Sequence, residues 1–179
     1  MKRTILIITV ASILGLVTMS AFGTSTSPSS NPEKSEGASE LKWYTDFTQA
    51  HELSQKTGKP IFGFFTGSDW CGWCKRLQAN VFAKENFKEW ADKSVILLEL
   101  DFPRRTQLPP KVMQQNRELA QLFKVKGYPT VWIFNAVKDP KTNQMSINAL
   151  GSLGYPRAEA GKESVKFVAD ANAILANKK

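Results

Sequence analysis

Cys71 and Cys74 are the only cysteines of the chain; two residues separate them, and a tryptophan directly precedes each one. Two sulfurs at this spacing can coordinate a metal, attach a haem, close a structural disulfide or exchange electrons with a partner. On a helix the second sulfur lies about one turn beyond the first and on the same face, within reach for thiol–disulfide exchange. The other residues of the chain decide between these chemistries.

The residues that accompany the pair disfavour a metal and a haem. A zinc site takes three or four protein ligands, and the chain offers the two cysteines and a single histidine, His51, on a different predicted helix. Covalent haem attachment requires histidine directly after the second cysteine, where Lys75 stands. We therefore predict no metal site and no bound cofactor.

A structural disulfide remains an alternative. The N-terminal residues predict export, as described below, and exported proteins do form inert disulfides. Such a short loop restrains the unfolded chain little, however, so redox chemistry is the better interpretation. Cys71 opens a predicted helix, where unpaired N–H groups and the helix dipole stabilise a thiolate, and Lys75 adds a positive charge one turn on. The pattern predicts Cys71 as a solvent-facing nucleophile and Cys74 as a buried resolving thiol.

Residues 1–23 have the layout of a secretory signal peptide. Two basic residues precede an apolar run from Ile5 to Val17, and Ser20 to Gly23 offers the small-x-small pattern of a cleavage site. An uncleaved membrane anchor is the alternative, since Thr4 to Phe22 carries no charge. We expect the cleaved form, working in the periplasm or as a secreted protein.

The charge pattern argues against a nucleic-acid partner. The formal net charge is +8, and removing the two basic residues of the predicted signal peptide leaves +6. The lysines are scattered among acids and form no block, which is typical of a solvated surface. Residues 24–40 are rich in Ser, Pro and Glu and predict a flexible linker, so the folded domain is expected to span residues 41–179.

Hydrophobic periodicity predicts the element order β-α-β-α-β-α-β-β-α. A short edge strand begins near Leu41, Thr45 is the expected N-cap of the first helix, and Val95 to Phe102 is the strongest buried-strand pattern. In the last two helices we expect inward-facing positions that include, in turn, Val112, Leu119 and Leu122, then Val165, Val168, Ala171 and Leu175.

This order predicts an α/β fold in which early parallel strands are followed by an antiparallel hairpin. The cysteines follow the second strand directly, at its carboxyl end. Open α/β sheets place their active sites at that edge.

Two motifs in the right order carry a resemblance to a known family. W-C-x-x-C-K occupies Trp70 to Lys75 after the strand KPIFGFF, and V-K-G-Y-P-T occupies Val125 to Thr130. The chain resembles the thioredoxin superfamily, and more closely exported bacterial thioredoxin-like proteins with a CGWC motif, from Leu41 to its C-terminus. The resemblance implies a three-layer α/β/α domain with a central mixed sheet and thiol–disulfide oxidoreductase activity.

The resemblance also implies roles for individual residues. Pro129 is expected to be cis and to lie against the active-site disulfide, with Tyr128 and Thr130 lining a substrate groove. Trp70 is expected to shield the thiolate and contact partners, while Trp73 is expected to be exposed for docking. The implied substrate-binding set is Trp70, Gly72, Trp73, Tyr128, Pro129 and Thr130.

Three features depart from the thioredoxin pattern. Gly72-Trp73 replaces Gly-Pro between the cysteines, and such residues tune the reduction potential. Phe64 stands near the position where many thioredoxins bury a proton-relaying acid, and Asp69 close by is expected to be exposed. An excursion from Pro103 to Lys111 contains two arginines, Arg104 and Arg105, which we interpret as keeping a loop soluble rather than steering a partner.

We therefore predict an exported, monomeric thiol–disulfide oxidoreductase acting on protein substrates with disulfides or thiols. A reductase supplied by a membrane thiol donor is favoured over a disulfide oxidase or isomerase. A non-catalytic thioredoxin-fold module with a fixed disulfide is the alternative from another class.

Overall fold

A five-stranded mixed sheet forms the centre of the fold in the computed structural model, which describes residues 40–177. The predicted signal peptide and all but the last residue of the predicted linker lie outside the described residues. The strands are β1 (Trp43–Tyr44), β2 (Ile61–Thr66), β3 (Ile96–Asp101), β4 (Thr130–Lys138) and β5 (Met145–Leu153).

The strand order across the sheet is β1-β3-β2-β4-β5. β1 and β2 both run parallel to β3, whereas β4 is antiparallel to β2 and β5 is antiparallel to β4. The predicted combination of parallel βαβ units with a terminal antiparallel hairpin is confirmed. The hairpin strands are longer than their apolar runs indicated, because the backbone ladder between them continues from Asn135 to Lys138 on β4 and from Met145 on β5.

Helices cover both faces of the sheet, which gives three layers. The helices are α1 (Phe47–Thr57), α2 (Gly72–Leu77), α3 (Glu85–Ser94), α4 (Pro110–Leu122) and α5 (Glu163–Ala176). A π-helical segment (Gln78–Phe82) continues α2. The core that contains the cysteines includes residues of α2, α3 and α5, and the core on the other face includes residues of α1 and α4.

β2 is buried along its whole length because both of its faces are covered. Phe62 and Phe64 point into the core that contains the cysteines, while Ile61 and Phe65 point into the core of the opposite face. This alternation explains why the strand has a continuous apolar sequence. β2 ends at Thr66, a few residues before α2 begins, which is where the sequence predicted the active site.

The expected N-cap of α1 was wrong by one residue. The helix begins after Asp46, whose carboxylate accepts a hydrogen bond from the backbone N–H of Thr48 at 2.7 Å. Aspartate is at least as good an N-cap as threonine. From position 46 its carboxylate reaches the N–H of the second residue of the helix. The predicted end of the helix is confirmed at Gly58, which has a φ of 70°.

Two positions predicted to face inward are exposed. Leu122 is 55% exposed because Phe123, the next residue, fills the core instead. Val165 is 61% exposed because α5 is oriented by Phe167, which is 1% exposed and packs on the core beside the cysteines. In both helices a bulkier aromatic neighbour buries more apolar area than the aliphatic residue.

Candidate active site

The two cysteines form a disulfide at the start of α2. Cys71 is the N-cap of this helix, with an extended backbone, and its Sγ accepts a hydrogen bond from the backbone N–H of Cys74 at 3.2 Å. The sulfur thus takes the place of the side-chain oxygen that usually caps a helix. A negative charge that develops on this sulfur meets the N–H groups of the first turn.

The two cysteine residues differ less in exposure than the sequence suggested. Cys71 is 5% exposed and Cys74 is 1% exposed, so the order is as predicted but the solvent-facing position of Cys71 was wrong. Trp70 and Tyr128, both half-buried, pack against the core cluster to which the cysteines belong. The family resemblance placed both residues near the disulfide, but the sequence does not show how deeply the start of α2 is buried.

The turn before the cysteines depends on Gly67. Its carbonyl accepts hydrogen bonds from the backbone N–H groups of Trp70, at 3.2 Å, and Cys71, at 2.8 Å. A Cβ atom on Gly67 would lie only 2.4 Å from the Trp70 ring. Glycine is therefore required here by the close approach of the indole to the backbone.

Trp70 connects the cysteine turn to two other segments. Its indole Nε1 donates a hydrogen bond to the carbonyl of Phe102 at 2.8 Å. Its ring lies edge-to-face with Tyr128 at a centroid distance of 5.8 Å. The Tyr128–Pro129 peptide bond is cis, as the family resemblance implied. Burial raises the pKa of the Tyr128 hydroxyl.

The remaining residues of the implied groove also lie at this end of the sheet. Thr130 begins β4, and its hydroxyl donates to the carbonyl of Gly127 at 2.8 Å, which closes the loop around Pro129. Gly72 is exposed, with open space where a Cβ would lie. Lys75 is exposed on the first turn of α2, where its backbone N–H donates to the carbonyl of Cys71 at 3.2 Å.

Trp73 is 53% exposed, which agrees with the expectation of an accessible ring between the cysteines. It lies edge-to-face with Tyr155 at 5.1 Å, and the Arg76 guanidinium lies over its ring at 4.7 Å. The sequence interpretation missed both partners. The three-residue helical spacing could have indicated Arg76, whereas Tyr155 follows β5 and has no local signal that links it to the site.

Asp69 ties the Pro103–Lys111 excursion to the cysteine turn. Its carboxylate accepts hydrogen bonds from the backbone N–H groups of Arg104, at 3.1 Å, and Arg105, at 2.6 Å. These bonds, led by the one from Arg104, lower the pKa of Asp69. On the same turn Ser68 donates to the Asp101 carboxylate through its backbone N–H and its hydroxyl, at 2.8 and 2.6 Å.

Phe64 lies in the core beside the cysteines and is 1% exposed. Glu99 pairs with it in register on the neighbouring parallel strand, so the two side chains share one face of the sheet. Burial raises the pKa of the half-buried Glu99 carboxyl, and the negative charge of Asp101 adds to this effect. The sequence interpretation passed over Glu99, because its strand reads as an apolar run.

His51 lies on α1, which belongs to the other face of the sheet from the cysteines. It is buried on α1 beside Phe47, at a ring distance of 6.0 Å. Within residues 40–177 no group of three or more His, Cys, Asp or Glu side chains is arranged to hold a metal ion. No helix in the described part of the chain has the length and apolar character needed to cross a membrane.

A family model described as thioredoxin-like matches residues 42–136. Together with the fold and the cysteine pair, this match shows that the chain belongs to the thioredoxin-like family and is a thiol–disulfide oxidoreductase. The disulfide bond reductase DsbH of Chlamydia pneumoniae is 37% identical over 118 residues, which are 66% of this chain and 70% of that protein.

Two further proteins show how far the similarity extends. The solved structure of a DsbH oxidoreductase superimposes with a TM-score of 0.68 at 26% identity, covering 86% of this chain and 96% of that one. The thioredoxin-related protein DsbJ of Chlamydia pneumoniae is 20% identical over 83% of this chain and 41% of its own length. The fold and the oxidoreductase activity predicted from the sequence are confirmed.

We predict that Gly67→Ala destabilises the protein by about 1–3 kcal/mol, because the new methyl group forces the Trp70 ring away from the turn. Urea unfolding followed by circular dichroism measures the change. Gly127→Ala is the matched control, since nothing lies within 4 Å of its Cβ position. Equal stability of the Gly67 variant and the wild type would show that the ring moves without cost.

We also predict that Glu99→Gln makes the protein more stable at neutral pH but not at acidic pH. The raised pKa means that the folded state holds its proton to higher pH than the unfolded state does. The wild type therefore loses stability as the pH rises from the ordinary value of 4.5 through the raised one. Glutamine cannot ionise and escapes this loss.

The measurement is urea unfolding of both proteins at pH 4 and pH 7.5. Glu52→Gln, which removes an exposed carboxylate from α1, is the control for the loss of one charge. A stability gain of the Glu99 variant that is equal at both pH values would contradict the assignment.

Proposed function

We propose that the protein is an exported reductase of protein disulfides, in which Cys71 is the nucleophile and Cys74 the resolving thiol. The observation that carries the proposal is the Cys71–Cys74 disulfide at the start of α2, whose first sulfur is also the helix N-cap. A sulfur in this position is stabilised as a thiolate, which is the reactive form in disulfide exchange.

The reaction begins from the dithiol form. The Cys71 thiolate attacks one sulfur of a substrate disulfide, forming a mixed disulfide and releasing the other substrate sulfur as a thiolate, which takes up a proton. The Cys74 thiolate then attacks Cys71 Sγ, which releases the second substrate thiol and forms the Cys71–Cys74 disulfide. Two electrons pass to the substrate, and a two-electron dithiol donor must restore the protein.

The surroundings of the disulfide support a protein as the substrate. Trp70, Tyr128, Pro129 and Thr130 lie at the same end of the sheet, and Trp73 presents an exposed ring beside the cysteines. In the family, the backbone next to the cis proline pairs with the substrate chain. Aromatic side chains around such a groove give docking area with little loss of conformational freedom.

The reductase direction is supported by the relative DsbH, which is named as a disulfide bond reductase. The residues between the cysteines here are Gly72 and Trp73, so the thioredoxin Gly-Pro pair does not set the potential. In an oxidising compartment a reductase needs a supply of electrons, and we propose a membrane thiol transporter as the donor. A disulfide oxidase or isomerase is the alternative direction.

We propose further that residues 1–23 direct export to the periplasm and are removed, that residues 24–40 are a linker, and that residues 41–179 form the domain. The basic start, the apolar run and the small residues at the cleavage position support this assignment. A periplasmic location is consistent with a reactive pair of cysteines that meets substrates with disulfides.

We predict that Cys74→Ser accumulates mixed disulfides with substrate proteins, because the first exchange proceeds and the resolving thiol is absent. The variant, with an affinity tag, is expressed in cells of a bacterium with a periplasm, and thiols are alkylated in acid. Adducts are then separated on non-reducing gels. They should disappear on reduction, and mass spectrometry should find Cys71 as the bonded residue.

Cys71→Ser is the matched control, since it keeps Cys74 but lacks the nucleophile. If neither variant traps a protein, or if both trap the same amount, the assigned roles are wrong. Absence of adducts together with an unreactive disulfide in the wild type would support the binding-module alternative.

A further inference from the structure

Two arginine side chains lie over the two tryptophans that directly precede Cys71 and Cys74. The guanidinium of Arg104 is 3.9 Å from the centre of the Trp70 ring, and that of Arg76 is 4.7 Å from the centre of the Trp73 ring. Cation–π contacts of this kind attract the positive group to the ring face. One guanidinium therefore lies against the tryptophan before Cys71, and another lies against the tryptophan before Cys74.

Each arginine is held in place by a different part of the fold. Arg76 follows Trp73 by three residues on α2, so the helix itself sets their contact. Arg104 belongs to the excursion after β3, and the carboxylate of Asp69 anchors its backbone by accepting the N–H groups of Arg104 and Arg105. The loop and the cysteine turn are thus joined, and Arg104 is brought to the active site from a distant segment.

Four cations on α2 and on the loop anchored by Asp69 form no ion pair with an acidic side chain within residues 40–177. Lys75, Arg76, Arg104 and Arg105 are all exposed. In the part of the chain that the structure describes, the ion pairs are Lys88 with Glu85 and Lys166 with Asp170, which lie on α3 and α5. The Asp69 carboxylate accepts hydrogen bonds from the backbone N–H groups of Arg104 and Arg105, not from their guanidinium groups.

A guanidinium that stacks on an aromatic ring keeps its N–H edge free for hydrogen bonds. That edge matches a carboxylate in geometry and charge, which makes arginine suited to the recognition of acidic side chains. Opposite charges at the rim of a binding site raise the rate of association and favour one partner over another.

We propose that these four cations, which we call the cationic rim, select disulfides whose flanking residues are Asp or Glu. The inference rests on the proposed function, because the rim residues belong to the helix and the loop that adjoin a centre that exchanges disulfides with proteins. It extends that function by naming a substrate class, and it gives Arg104 and Arg105 a role in steering a partner.

The test uses three synthetic peptides with the same intramolecular disulfide and with Glu, Gln or Lys at the flanking positions. The reduced protein is mixed with each peptide, and the second-order rate constant is followed by tryptophan fluorescence at 20 mM and 500 mM NaCl. At low salt we expect the Glu peptide to react about tenfold faster than the Lys peptide, with the Gln peptide between them. At high salt the three rates should converge, because the charges are screened.

The variant Arg76→Gln/Arg104→Gln should lower the Glu-to-Lys rate ratio to about one third of the wild-type value or less. Lys138→Gln/Lys141→Gln removes the same number of charges at the far end of the β4–β5 hairpin. Lys138 lies eight residues beyond Thr130 on β4, roughly 26 Å from the active-site end of the strand at about 3.3 Å per residue. This control should keep the wild-type ratio.

Failure of the inference and failure of the proposed function give different results. If all three peptides are reduced at the same rate, or if the two double variants lower the ratio equally, the rim does not select acidic substrates while the reductase activity stands. If the reduced protein exchanges with none of the peptides, the proposed function is wrong and the inference falls with it.

Discussion

The active site depends on the way that Cys71 begins α2. The carbonyl of Gly67 holds the backbone N–H of Cys71, and the Cys71 sulfur in turn accepts the N–H of Cys74. These bonds place the first sulfur at the positive end of a helix and the second sulfur one turn further into the core. Substitution at Gly67 would disturb the turn through the Trp70 ring, which packs where a Cβ atom would be.

The same turn collects residues from distant parts of the chain. Trp70 reaches the carbonyl of Phe102 and the ring of Tyr128, while Asp69 binds the backbone of the loop after β3. The carboxyl ends of β2 and β3 and the start of β4 therefore meet around one disulfide. This convergence brings Trp70, Tyr128 and the loop after β3 to the turn that carries the reactive cysteine.

Much of this arrangement could be predicted from the sequence, because the relevant signals are local. The fold and the centre of the site could be predicted from three signals: the spacing of Cys71 and Cys74, the apolar run of β2 and the proline motif. Side-chain contacts between distant segments had no such signal, which is why Tyr155 and Glu99 were missed. The expected exposure of Cys71 was wrong because the depth of the cysteine turn depends on how it packs against the core, which local spacing does not show.

As a reductase, the Cys71–Cys74 pair must donate electrons reversibly to protein disulfides. The reduction potential, measured by equilibration with glutathione buffers and quantified by thiol alkylation and mass spectrometry, tests this requirement most directly. A potential near that of thioredoxin, about −270 mV, is the predicted result. A potential near about −120 mV would identify an oxidant and contradict the account, as would a disulfide that does not equilibrate at all.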